Sequence, residues 1–227
     1  MPGAALLAAH AAQGAGAGYV KLLAEDAHAP ADVVVDRALL SEAIGDTRIA
    51  AALIGPGLSH TAEARERLAT VLSAQIPAVL DADALVLLGS RMLSEHSTPL
   101  IATPHDGELV ALERAFDCDG TGSKPERAAA LAKVSGMVIV AKGPDTVVAA
   151  PDGRTVCAPR ASSWLSTAGT GDVLAGAIAS RLACGDEAFA AATTGVWLHG
   201  EAARLCPPAF SAAALAAAIP AALAACL

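Results

Sequence analysis

Short apolar runs of strand length recur between alanine-rich stretches of helical length, and this rhythm constrains the chain more than any other feature. βα units produce such alternation, so it predicts an α/β fold with a mostly parallel central sheet flanked by helices. The predicted strands are Tyr19–Leu23, Ala51–Ile54, Ala78–Leu80, Leu100–Ala102 and Met137–Ala141. Thr146–Ala150 and Arg154–Ala158 flank Pro151-Asp152-Gly153 and predict a hairpin that adds antiparallel strands towards the C-terminal side. Helices are predicted over Ala4–Gln13, Thr61–Ser73, Ser123–Ser135, Val173–Cys184 and Ala188–Leu205, with Gly14 and Gly185 just past two of the ends. Ala212–Leu227 reads as a terminal helix; Pro220 interrupts it, and it is too short and weakly apolar to span a bilayer. Asp117–Lys124 reads as a flexible loop.

The 227 residues, 54% of them hydrophobic, suffice to bury the core of one domain spanning residues 1–227. Much of that hydrophobicity is alanine and only 3% of all residues are aromatic, which predicts a core filled by helices packing closely through small residues. A net charge of −8 argues against a nucleic-acid or anionic-membrane surface, so any phosphate site must be local. Cys118, Cys157, Cys184, Cys206 and Cys226 are widely spread without a Cys-x-x-Cys pair, which predicts free thiols in a reducing compartment. No Lys or Arg precedes Lys21, so the apolar N-terminus is a poor secretory signal and the cytoplasm is expected.

Ser166-Thr167-Ala168-Gly169-Thr170-Gly171-Asp172 leads into a predicted helix. Gly169 and Gly171 allow a sharp turn and close approach to a ligand, and the first free N–H groups of the helix point at an anion with the dipole behind them. A carboxylate does not hold a phosphate; a hydroxyl that must lose its proton is a better partner for Asp172. Asp is also a preferred N-cap, so the same residues can serve the turn alone.

Other polar and glycine residues follow separate strands, at the sheet edge where open α/β folds bind ligands. His105 and Glu108 lie three apart beyond one strand and can reach one ligand, or can cap the next helix. Lys142-Gly143-Pro144-Asp145-Thr146 can surround a nucleotide phosphate or form a strand-to-hairpin turn. Gly55-Pro56-Gly57 reads as a rigid turn. Asp81 and Asp83 can approach magnesium or a substrate hydroxyl, but carboxylates after strands are common caps, and no catalytic role is assigned to them. His199 reads as a hydrogen-bonded packing residue in an apolar helix, and His10, His28, His60 and His96 carry no metal-ligand pattern.

The segment ending at Asp172 resembles the glycine-Asp signature of the ribokinase-like superfamily. Pro2-Gly3-Ala4, Gly14-Ala15-Gly16-Ala17-Gly18, Gly55-Pro56-Gly57-Leu58, Leu80-Asp81-Ala82-Asp83-Ala84-Leu85, Thr103-Pro104-His105-Asp106-Gly107-Glu108, Lys142-Gly143-Pro144-Asp145-Thr146 and Trp197-Leu198-His199-Gly200 occur in order. Together they resemble the nucleotide-dependent NAD(P)H-hydrate dehydratase family over nearly the whole chain. That resemblance implies phosphorylation of the ring hydroxyl of hydrated NADH or NADPH at the expense of ADP or ATP with Mg2+, followed by loss of phosphate. It implies Asp172 as base, an anion hole from Gly169, Thr170 and Gly171, and nucleotide contacts from residues 142–146 and Gly171. It further implies substrate contacts from Ala4, Gly57, His105 and Asp172, metal contact by Glu108 through water, and homo-oligomers. His105 stands where related kinases commonly have Asn, whereas Asp106 replaces a more usual Pro. The family has a further strand before the segment matching Pro2-Gly3-Ala4, so one sheet strand is expected to be absent. No epimerase domain of the kind fused to some relatives is read, so only the dehydration half of the repair is expected. A ribokinase-like small-molecule kinase and a non-catalytic nucleotide-binding protein are the alternatives.

Overall fold

A computed structural model of the chain describes residues 2–23, 29 and 33–226. The elements in chain order are α1 (Pro2–Gly14), β1 (Lys21–Leu23), β2 (Val34–Asp36), α2 (Leu40–Ile44), β3 (Ala52–Ile54), α3 (Ala62–Ser73), β4 (Ala78–Leu80) and α4 (Asp83–Leu87). There follow β5 (Leu100–Ala102), α5 (Asp106–Ala115), α6 (Lys124–Ser135), β6 (Val138–Ala141), β7 (Val147–Ala149), β8 (Thr155–Cys157), α7 (Thr170–Ala183), α8 (Ala188–Leu205) and α9 (Ala212–Ala224). Strands β3 to β8 form one six-stranded sheet in sequence order, parallel from β3 to β6 and antiparallel from β6 to β8.

The central strands are apolar on both faces because each face meets helices. Leu80, Ala102 and Ile139 pack in one core with Leu68, Leu109 and Leu131 from α3, α5 and α6. Their neighbours Val79, Ile101 and Val140 point the other way, onto Ile178 and Ala175 of α7 and Ala191 of α8. A third cluster joins α1, α7, α8 and α9 through Ala11, Val173, Leu198 and Leu215.

Small residues set the helix spacing, as the composition predicts. A side-chain carbon at Gly176 of α7 would collide with the Ala8 carbonyl of α1, and one at Gly195 of α8 with Ile178 of α7. Gly176→Ala is therefore expected to destabilise the fold by about 1–3 kcal/mol, because α1 must move away from α7. A chemical-denaturation midpoint equal to that of the native protein would show that the contact relaxes freely.

Two expectations change. The strand predicted over Tyr19–Leu23 begins at Lys21 and pairs in parallel with β2 as a separate two-stranded sheet, leaving β3 outermost in the larger one. The β2 run was not read as a strand: its short Val-Val-Asp carries little alternation, and Val34 is exposed. The expected flexible loop is shortened and tied down, since Lys124 opens α6, Asp119 accepts from the Thr121 N–H, and Ser123 donates to Glu126. The terminal helix runs to Ala224, with Pro220 inside it, and Leu227 and His28 lie outside the described residues. Among the described residues, no helix is long and apolar enough to cross a membrane.

Candidate active site

The carboxyl ends of β3, β4, β5 and β6 converge, and each delivers one component. Beyond β3, Gly55 takes φ +128° and approaches the Asp81 carbonyl so closely that any Cβ would collide with it. Beyond β4, Ala82 adopts φ 48°, an unusual conformation for a residue with a side chain, between two carboxylates with different partners. Asp81 is 1% exposed and accepts hydrogen bonds from the Thr103 hydroxyl at 2.6 Å and the Lys142 ammonium at 2.7 Å. Asp83 accepts from the Ser59 N–H at 2.7 Å and meets His60 at 3.0 Å, so it braces the turn that carries Gly57.

Beyond β5, His105 is the N-cap of α5. Its Nδ1 accepts from the Gly107 and Glu108 N–H groups at 3.0 and 3.3 Å, while Glu108 accepts from the His105 N–H at 2.8 Å. The capping alternative is thus realised, and it also fixes chemistry: with Nδ1 accepting, the neutral ring carries its proton on Nε2. That nitrogen lies 3.4 Å from Glu108, and the imidazole is 62% exposed. Beyond β6, the Lys142 ammonium lies 3.8 Å from Glu108 and 3.6 Å from where a Gly171 Cβ would sit, against the start of α7.

Helix α7 begins at Thr170, three residues before the predicted start, because Gly169 with φ +91° is its N-cap. Asp172 is therefore not the cap but a first-turn residue, 9% exposed. Burial first, and then the negative charge of Asp81, push its carboxyl up to about 6, against the opposing pull of Lys142. A carboxylate with such a value is suited to accept a proton near neutral pH. The first intrahelical amide bond runs from Val173 to Gly169, so the Gly171 N–H precedes the ladder. Thr170 is committed to structure: its N–H and hydroxyl both donate to the Thr167 carbonyl, and the hydroxyl also to Leu165. Its own carbonyl accepts from buried His199 Nε2 at 2.9 Å, and burial lowers that imidazole to about 4, so it is a neutral packing residue as read from the sequence.

Lys142, Gly171, Asp172, His105 and Glu108 are thus brought to one edge. Residues 143–146 continue from Lys142 into a turn closed by the Thr146 hydroxyl, which donates to the Gly143 carbonyl at 2.9 Å. A cavity of about 430 Å³ beside it is lined by Pro144, Asp145, Ala158 and Arg160. Ala4 is buried on α1, one turn before Leu7, whose side chain rests against Gly169. Gly57 is in an exposed turn. A larger cavity of about 570 Å³ lies at the opposite ends of the strands, against Ala50, Pro77 and Pro99, and contains none of these residues.

Asp81 and Lys124 escaped the sequence reading as site residues. The Asp-x-Asp after β4 was a usable signal, but only the fold shows that Asp81 turns inward to Lys142. Lys124 donates to Asp145 at 2.9 Å and holds that carboxyl below its ordinary range. Among the described residues, no group of three His, Cys, Asp or Glu could hold a metal by itself. Glu108 still suits Mg2+, which commonly takes one or two carboxylates and completes its shell with phosphate oxygens and water.

The family model described as NAD(P)H-hydrate dehydratase matches residues 1–224. An ADP-dependent (S)-NAD(P)H-hydrate dehydratase of Bacillus subtilis is 34% identical over 214 residues, covering 90% of this chain and 76% of that protein. The chain spans 29% and 43% of the lengths of two bifunctional NAD(P)H-hydrate repair enzymes, from Moorella thermoacetica and Mycobacterium leprae, that it also matches. The structure of the ADP/ATP-dependent NAD(P)H-hydrate dehydratase from Bacillus subtilis co-crystallised with ATP/Mg2+ superposes with a TM-score of 0.81 at 30% identity, covering 99% of this chain and 85% of that one. A ribokinase-like superfamily protein from Enterococcus faecalis gives 0.84 at 24% identity, covering 98% and 82%, and the fold is accordingly ribokinase-like. The chain therefore belongs to the NAD(P)H-hydrate dehydratase family.

Proposed function

We propose that residues 1–227 form one catalytic domain that dehydrates hydrated NADH or NADPH at the expense of ADP or ATP. The observation that carries this reading is a buried Asp172 carboxyl raised to about 6 beside the Gly171 amide and the Lys142 ammonium. Asp172 removes the proton from the ring hydroxyl as that oxygen bonds to the terminal phosphorus and the bond from phosphorus to the departing nucleotide breaks. The Gly169 and Gly171 amides, with Lys142, stabilise charge on the transferred group, whereas the Thr170 N–H of the expected anion hole is already given to the Thr167 carbonyl. The ring-nitrogen electron pair then expels phosphate, a far better leaving group than hydroxide. Loss of a proton from the neighbouring ring carbon restores the dihydronicotinamide.

Residues 142–146 and Gly171 hold the nucleotide, and Ala4, Gly57 and His105 hold the hydrate, with His105 offering its Nε2–H. Glu108 would hold Mg2+, and the metal would supply neutralisation of phosphate charge. The names of the family relatives support the substrate pair, and the ATP/Mg2+ complex of the Bacillus subtilis protein supports the nucleotide and metal. Five separate free thiols support a cytoplasmic setting. Outermost β3 and exposed Val34 and Leu39 support assembly into homo-oligomers.

Incubation with hydrated NADH or NADPH plus ADP or ATP should restore dihydronicotinamide absorbance and release inorganic phosphate in equal amounts. Phosphorylated product without restored absorbance would make the protein a kinase, and no reaction of either sort would make it a non-catalytic binder.

A further inference from the structure

Lys124 opens α6, yet its ammonium reaches two other segments of the site. It donates to the Lys142 carbonyl at 3.1 Å and to Asp145 at 2.9 Å, and it lies 3.3 Å from Asp106 at the start of α5. Two of the three ammonium donors are spent in hydrogen bonds to the loop, and the contact with Asp106 is an ion pair. The Lys124 side chain is only 12% exposed, whereas those of Asp106 and Asp145 are each 71% exposed. Gly143 makes room for it: at φ +151° a Cβ there would collide with the Lys124 nitrogen.

We propose that Lys124 is a positioning residue that shapes the nucleotide loop at 142–145 before the nucleotide arrives and ties it to the helix carrying His105 and Glu108. The inference rests on the nucleotide-binding role proposed above for that loop. Its physical basis is preorganisation. A loop already held in its binding shape loses less conformational freedom when the ligand docks, so more of the contact energy appears as affinity. Removal of the ammonium frees the turn from α6 and leaves two carboxylates without their shared cation beside a site for phosphate.

The test is calorimetric titration of the full chain with ADP in Mg2+ buffer, using native protein, Lys124→Met, Lys124→Gln and Lys124→Arg. Lys124→Gln keeps a donor for the Lys142 carbonyl and is the variant to read if Lys124→Met does not fold. The uncharged variants should bind ADP at least about tenfold more weakly, with Lys124→Arg recovering a large part of the loss. In turnover, the nucleotide KM should rise more than kcat falls. Native protein that binds ADP, with a folded uncharged variant that binds it within twofold or an Arg variant no better than Met, would overturn the role of Lys124 alone. Native protein that binds no adenine nucleotide would overturn the functional reading and this inference with it.

Discussion

Asp172→Asn is expected to lower turnover by about 10³-fold, close to 4 kcal/mol of barrier, while making the protein more stable at pH 7.5. The two effects share one cause. The folded carboxyl keeps its proton up to about pH 6, against an ordinary value of 3.8. Above pH 6 the fold therefore holds a charge that it disfavours, and asparagine removes that charge at nearly the same shape. The gain is about 2–3 kcal/mol at most. It should shrink as pH falls through 6 and disappear below 3.8, where the carboxyl is protonated in both folded and unfolded chains. In the native enzyme, kcat/KM should rise with pH around a midpoint near 6, because only the deprotonated carboxylate accepts the substrate proton. Denaturation curves at several pH values and a pH–rate profile check both halves. An asparagine variant with near-native turnover would remove Asp172 as the base.

Lys142→Met is expected to cost about 3–5 kcal/mol of stability as well as nucleotide affinity. Its partner explains the size of the first effect. Asp81 has a side chain 2% exposed, and without Lys142 the Thr103 hydroxyl is left to compensate a buried charge. Neutralising both ends should separate the effects: Lys142→Met with Asp81→Asn should regain most of the lost stability and none of the ADP affinity. Urea denaturation and ADP calorimetry on the two proteins measure this. A single variant that loses less than about 1 kcal/mol would show that water or a shifted side chain takes the place of the ammonium.

Much of the site was legible because its residues are local signals. Glycines before a helix, a polar residue after a strand and a hairpin turn are each decided by a few neighbours in the chain. Boundaries were less so. The start of α7 was placed at Val173 because Gly169 and Gly171 look like loop residues, whereas the turn at Gly169 delivers Thr170 straight into helix. That shift matters for chemistry, since it takes Asp172 out of the capping position and leaves its carboxyl facing Asp81 and Lys142. His105 shows the converse case, where capping and binding looked like rivals and the same ring satisfies the cap through Nδ1 while Nε2 stays exposed.

The sequence alone determined the alternation of strands and helices, the antiparallel turn after β6 and the residue types that gather at one sheet edge, since periodicity and turn chemistry are properties of short segments. Only the tertiary structure decided that Lys21–Leu23 would pair apart from the main sheet, that Asp81 would be sealed beneath Lys142, and that Lys124 would tie the 142–145 loop to the start of α5. Those outcomes depend on charges and backbones distant in the chain meeting in a confined space, where desolvation and Coulomb forces act over distance and not over sequence separation.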